Sequence, residues 1–112
     1  MKKMLTKIVS IEEEKLTLTY NGKSTNIYFR TYGGVILSII IAKETESVPL
    51  PTTWTYVGTL TKIKPASDRY IPFISSNGLT GSFRIYPDGG VRILAHSSSN
   101  YWMQTSVTVF YK

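Results

Sequence analysis

Apolar and polar positions alternate with a period of two along much of this chain. Leu16-Thr17-Leu18-Thr19-Tyr20 alternates apolar with β-favouring polar residues, the pattern of a strand with one buried face. Asn21-Gly22 follows. Both central positions of a tight hairpin turn need positive φ, so this pair is a strong hairpin signal. Asn26-Ile27-Tyr28-Phe29-Arg30-Thr31-Tyr32 is the expected return strand, and Gly33-Gly34 turns the chain into Val35-Ile36-Leu37-Ser38-Ile39-Ile40-Ile41. That run is so uniformly apolar that it is expected to lie centrally, covered on both sides.

Residues 43–53 are polar and broken by Pro49 and Pro51, which cannot sit in a central ladder, so they read as a surface crossing or edge segment. Residues 54–60 form the next expected strand, and 61–68 a basic loop in which Pro65 holds Lys64 extended. Residues 69–74 read as a strand that Pro72 places at an edge or a bulge. After a turn at Ser75-Ser76-Asn77-Gly78, residues 82–86 and 91–95 pair across Pro87-Asp88-Gly89-Gly90 as a second hairpin. Residues 97–100 are a loop and 104–111 the last strand. Phe83, Ile85, Val91, Ile93, Val107 and Val109 are the expected inward positions. The only helical spacing is Met1, Met4, Leu5 and Ile8, and Ile8-Val9-Ser10-Ile11 reads equally well as a strand. The expectation is an all-β, jelly-roll-like antiparallel β-sandwich with little or no helix. The expected division is a short N-terminal segment over residues 1–15, a strand or short helix available for attachment, and a single β-sandwich domain over 16–112.

The chain has 112 residues, 42% hydrophobic and 18% charged, which fits one folded domain and argues against disorder. The absence of cysteine removes disulfides, thiolate metal sites and a cysteine nucleophile together. The longest apolar run, residues 35–42, is far shorter than the ~20 residues of a spanning helix. Met1-Lys2-Lys3 lacks the apolar core of a signal peptide, since Thr6, Lys7, Ser10 and Glu12 interrupt it. A net charge of +6 raises nucleic acid or an anionic polymer as partner, but the positives are dispersed. Lys62 and Lys64 share a loop, and Arg84 and Arg92 a hairpin. No basic run or RNP-type motif appears, which argues against nucleic acid.

Catalytic constellations are thin. His96 is the single histidine, beside serines but without a G-x-S-x-G elbow, and a triad through Asp68 or Asp88 has no further sequence support. Glu12-Glu13-Glu14 alternate faces in an extended chain and cannot oppose one another as a glycosidase pair. Asp88 is explained as a turn residue before Gly89. The expectation is a non-enzyme with no cofactor and no metal.

The aromatic complement, two tryptophans, eight tyrosines and four phenylalanines, points elsewhere. Sugars present C–H faces and hydroxyls, so a saccharide site needs aromatic platforms beside forked polar side chains. Tyr101, Trp102, His96, Arg92, Arg69, Tyr70 and Asn100 supply that chemistry near strand ends and loops, and they form the candidate saccharide set. Tyrosine and tryptophan fill cores and subunit interfaces equally well, which is the expected role of Trp54 at the opening of a strand.

The second half of the chain also has a recognisable order. Trp54-Thr55-Tyr56-Val57-Gly58-Thr59-Leu60 leads to Ile63-Lys64-Pro65-Ala66-Ser67, then to the proline-bearing strand Tyr70-Ile71-Pro72-Phe73. The hairpin Ile85-Tyr86-Pro87-Asp88-Gly89-Gly90-Val91-Arg92-Ile93 follows, then Trp102 and a final strand. This order resembles the C-terminal head domain of phage tail-fibre and baseplate receptor-binding proteins, over roughly residues 16–111. The family's loop before the R/K-P pair is shortened here, lacking its first proline and its glycine. Family heads usually follow a long stalk, whereas residues 1–15 alone precede the first clear strand. The resemblance implies a homotrimer at a virion tail tip that binds host cell-wall or surface polysaccharide and attaches to other tail proteins, made in the host cytoplasm without a signal peptide or membrane insertion. The alternatives are a structural tip or decoration protein without its own ligand, and a basic nucleic-acid-binding β-barrel.

Overall fold

The computed structural model describes residues 10–42, 47–108 and 111. Eight strands follow the alternation: β1 (Ile11–Tyr20), β2 (Lys23–Tyr32), β3 (Ile36–Ala42), β4 (Thr55–Thr59), β5 (Arg69–Ser75), β6 (Thr80–Ile85), β7 (Gly90–Ala95) and β8 (Gln104–Thr108). No helix occurs among the described residues, and every strand pairing is antiparallel. The expected all-β antiparallel fold takes the form of one eight-stranded sheet, ordered β1-β2-β3-β8-β5-β6-β7-β4 and wrapped nearly into a barrel. Two meanders, β1-β2-β3 and β5-β6-β7, meet through β8, and β4 returns beside β7. β1 begins at Ile11, so residues 11–15 belong to the sheet. Residues 1–9, where the helical spacing falls, lie outside the described residues.

The hairpins form where turn chemistry dictates. Asn21 and Gly22 have φ of 51° and 74°, the left-handed pair that a two-residue hairpin requires. The β6–β7 turn is held twice: Asp88 Oδ1 accepts from Gly90 N (2.8 Å), and Gly89 O accepts from Leu60 N (2.8 Å) at the end of β4. A Cβ on Gly89 would meet Leu60 O at 2.1 Å, at a φ of 95°. Gly89→Ala should therefore cost about 2 kcal/mol or more through strain and overpacking, read as a lower urea midpoint at unchanged slope.

The inward positions form one core. Phe83, Ile85, Val91 and Ile93 are fully buried, as expected. Val109 and the Val107 side chain lie outside the described residues, and the described inward positions of β8 are Gln104 and Ser106. Phe29 of β2 meets Phe83 of β6 at 6.0 Å between ring centroids, Phe83 meets Phe73 at 5.2 Å, and Phe73 meets Tyr101 at 6.0 Å. This aromatic chain joins the two meanders across the interior.

Two expectations need revision. β3 is central in strand order, between β2 and β8, yet Ile36 and Ile40 are exposed. A single sheet wrapped around one core leaves its outer face to solvent, so β3 is covered on one side only. Pro72 causes no bulge: it stays in register opposite Ser82 of β6. On its other side β5 pairs with β8 only at Ile74 and Ser75, and beyond them Ser106 Oγ rather than a backbone amide reaches Pro72 O (2.6 Å). The proline sits where the ladder has already stopped.

The seam between the terminal strands β1 and β4 has no backbone ladder. Gly58 makes room there, since a Cβ would stand 3.0 Å from Leu16 Cδ2. Beside it, Glu14 of β1 reaches into the loop after β4. Its Oε1 accepts from Thr61 N (2.8 Å) and Thr61 Oγ1 (3.0 Å), and its Oε2 from Lys62 N (2.7 Å) and Ile63 N (2.8 Å). Burial would raise the carboxyl's pKa, but the backbone bonds from Thr61, Ile63 and Lys62 and the Thr61 hydroxyl outweigh it, holding the pKa below its ordinary value. Glu13, one residue away, faces outward and pairs with Arg30 at 3.0 Å. The alternation of the acidic run across faces is as expected.

Candidate functional site

The outward residues of β4, β7, β6 and β5 form a row in ladder register. Tyr56 pairs with Arg92, Arg92 with Arg84, and Arg84 with Tyr70. With adjacent strands ~4.8 Å apart, the four Cα positions span roughly 14 Å. The order aromatic, guanidinium, guanidinium, aromatic is unusual, because like charges directly opposite on neighbouring strands are destabilising.

Neighbouring groups compensate Arg84. Asp68 Oδ2 lies 3.0 Å from its Nη2, and the hydrogen bond to Asp68 raises the guanidinium's pKa. Tyr70 and Tyr86 take the cation on their ring faces, with centroids 4.9 and 4.6 Å from Cζ. Such stacking is favourable because a cation is drawn to the negative face of an aromatic ring. Trp54 then meets Tyr70 edge-on at 6.1 Å, extending the aromatic surface.

Arg92 is placed differently. Its Cζ lies 5.9 Å from the Tyr86 ring, and among the described residues no carboxylate pairs with it. It lines an open groove of about 270 Å³ with Tyr56, Thr59, Tyr86, Asp88 and Gly90. A bulge in β4 between Tyr56 and Gly58 shapes one wall. The extra residue resets the alternation, so Tyr56 and Thr59 both face outward and their hydroxyls hydrogen-bond. The volume lies near the lower bound of about 300 Å³ for small-ligand clefts. Two tyrosine rings, a forked donor, three hydroxyls and a carboxylate line it. Among the described residues, no three His, Asp or Glu side chains gather as a metal site would need.

The seven residues expected from the sequence do not gather in one place. Arg92 and Tyr70 fall in the row. Arg69, the neighbour of Tyr70, alternates to the other face, where its Nε donates to Tyr111 O (3.0 Å). His96, Asn100 and Trp102 lie in the loop between β7 and β8. The His96 ring nitrogen Nδ1 is 2.9 Å from Thr80 Oγ1, Asn100 O accepts from Asn77 Nδ2 (3.1 Å), and Trp102 O accepts from Ser76 Oγ (2.7 Å).

Tyr101 is a correction. It is 0% exposed, packs on Phe73, and bridges Val48 as an isolated β-pair. Its hydroxyl donates to Thr80 O (2.7 Å) and accepts from Ser97 N (3.2 Å). A polar loop surrounds it in sequence, but a tyrosine whose hydroxyl is satisfied is at home in a core.

Tyr56, Thr59, Arg84, Tyr86 and Asp88 were not in the expected set. The facing of Arg84 and Arg92 was accessible in principle, since the hairpin's turn residues imply their register. The pairing of Tyr56 with Arg92 depends on β4 returning beside β7, which no local signal announces. Comparison with protein-family models and with curated proteins finds no match.

Proposed function

We propose that this chain is a non-enzymatic receptor-binding head of the phage tail-fibre or baseplate kind, and that the Tyr56–Arg92–Tyr86 groove takes a host-surface saccharide. The observation that carries the reading is the Arg92 guanidinium, without a carboxylate partner among the described residues, in a groove with the exposed Tyr56 and the half-buried Tyr86, with Asp88 and Thr59 in reach of a bound hydroxyl-rich group. Tyrosine faces stack on sugar C–H surfaces, the guanidinium fork donates to neighbouring oxygens, and the Asp88 carboxylate accepts. Probing a glycan array and intact host cells with the purified chain tests the reading. Binding to saccharides is expected, and absence of binding to both would refute it.

A homotrimer belongs to this proposal. Ile74, Trp102 and Met103 are exposed by 56%, 41% and 47%. Ser76 N donates to both Trp102 O and Met103 O, which holds the segment carrying those two residues beside the end of β5, close in the chain to Ile74. Exposed apolar patches mark association sites, and a threefold contact would cover this one. Light scattering coupled to size exclusion should give three times the 12.6 kDa chain mass, falling to one for Ile74→Lys/Trp102→Ser. A wild-type monomer at every concentration would contradict the trimer.

One observation favours a second reading. Aromatic and guanidinium groups that are scattered in the sequence share one face of the sheet, where Arg84 stacks on Tyr70 and Tyr86, as on surfaces that stack single-stranded nucleic acid. Oligonucleotide binding that weakens steeply with salt would select that reading over the saccharide.

A further inference from the structure

We infer that the outer face of β1, β2 and β3 carries a second binding site for hydroxyl-rich saccharide, making each chain bivalent. The inference rests on the saccharide reading of the Tyr56–Arg92 groove and adds a site to it. Tyr28, Arg30 and Tyr32 are successive outward residues of β2, so an arginine stands between two rings along one strand. Consecutive outward positions are ~7 Å apart. Arg30 faces Glu13 of β1 on one side and Ser38 of β3 on the other, and Tyr28 faces Ile40. These six residues line a concavity of about 250 Å³.

The chemical inventory matches that of the first groove: two tyrosines, one arginine, one carboxylate and a hydroxyl. The sizes are also alike, about 250 and 270 Å³. The electrostatics differ. Arg30 Nη2 donates to Glu13 Oε2 at 3.0 Å, and Tyr32 and Glu13 beside it hold the guanidinium's pKa above its ordinary value. The guanidinium stays a cation beside a carboxylate, and the N–H groups that Glu13 does not take remain free to donate, since the planar fork has five. A charged donor balanced by an adjacent carboxylate suits a neutral sugar, and the exposed Ile40 side chain offers an apolar wall for its C–H face.

The two sites look away from each other. Phe29 of β2 and Phe83 of β6 meet through the core, and side chains alternate across a strand. The outward residues of β2 and of the β6 row therefore point to opposite sides of the molecule. One chain can then engage two segments of a polysaccharide, or two separate chains, and gain avidity without any new contact.

The test is a ¹⁵N-edited NMR titration of the full chain with glucose, galactose, rhamnose and N-acetylglucosamine at millimolar concentration. Two separate sets of shifts are expected, one at Tyr28, Arg30 and Ser38, the other at Tyr56, Tyr86 and Arg92. Arg30→Gln should weaken the first set about tenfold, as loss of a charge-assisted donor implies, and leave the second within about twofold. Arg92→Gln should do the reverse. Tyr28→Phe, which keeps the ring and removes only the hydroxyl, checks that the loss is not one of folding, and it should weaken the first set alone. Shifts confined to the Tyr56 groove would overturn the second site and leave the first standing. Shifts confined to the Tyr28 site would keep this site and remove the first. No shifts at either would overturn both.

Discussion

Glu14→Ala is expected to destabilise the fold by about 3 kcal/mol, whereas Glu13→Ala, one residue away, should cost less than about 1 kcal/mol. The first figure counts three backbone amides, those of Thr61, Lys62 and Ile63, left without their acceptor at roughly 1 kcal/mol each. The second reflects an exposed ion pair with Arg30, which solvent screens. The contrast arises because the wrapped sheet has one seam, between β1 and β4, and a side chain rather than a ladder closes it. The same latch predicts a pH dependence. The folded-state pKa of Glu14 lies below its ordinary value of 4.5, so its stabilisation is present in full above that value. It is lost as pH falls through the lower, folded-state pKa. Melting curves of wild type and Glu14→Gln should therefore differ near neutrality and converge in acid. A constant gap between them would place the effect in packing instead of charge.

Arg92→Ala should weaken saccharide binding about 10- to 100-fold, the range expected for losing charged hydrogen bonds of about 1.5–3 kcal/mol. Unlike most truncations it should not destabilise the protein. Arg92 faces Arg84 directly in the β6–β7 ladder and has no carboxylate among the described residues. Removing one of two opposed cations should raise stability by up to about 0.5 kcal/mol. Loss of binding with a small gain in melting temperature is the signature of a residue kept for function at a local cost in stability. A lower melting temperature would mean that Arg92 serves the fold. Tyr86→Ala acts on the same groove but also removes a ring from Arg84, so it should weaken binding and cost some stability together.

The strands and hairpins were legible because their causes are local. The Asn21-Gly22 turn, the Pro87-Asp88-Gly89-Gly90 turn and the inward alternation of Phe83, Ile85, Val91 and Ile93 each depend on a few adjacent residues. The sheet order was not legible. β8 enters between β3 and β5, and β4 closes beside β7, through pairings distant in sequence that no turn announces. For that reason Trp54 and Tyr56 could be recognised as aromatic but not as neighbours of Tyr70 and Arg92. The bulge in β4, which turns Tyr56 and Thr59 to one face, likewise depends on the partner strand. Tyr101 misled for a related reason: its loop is polar, and only its bridge to Val48 and its packing on Phe73 draw it inside. Glu14 stands in a run of three glutamates that composition cannot distinguish, and only wrapping of the sheet brings the 61–63 amides to it.

The most direct test of the central claim is biolayer interferometry of the chain against immobilised cell-surface polysaccharide extracted from the host, with wild type and Arg92→Ala run side by side. The account predicts saturable wild-type binding that survives moderate salt, and binding by Arg92→Ala that is weaker by at least about tenfold. Equal binding by the two proteins, or none by wild type, would contradict it.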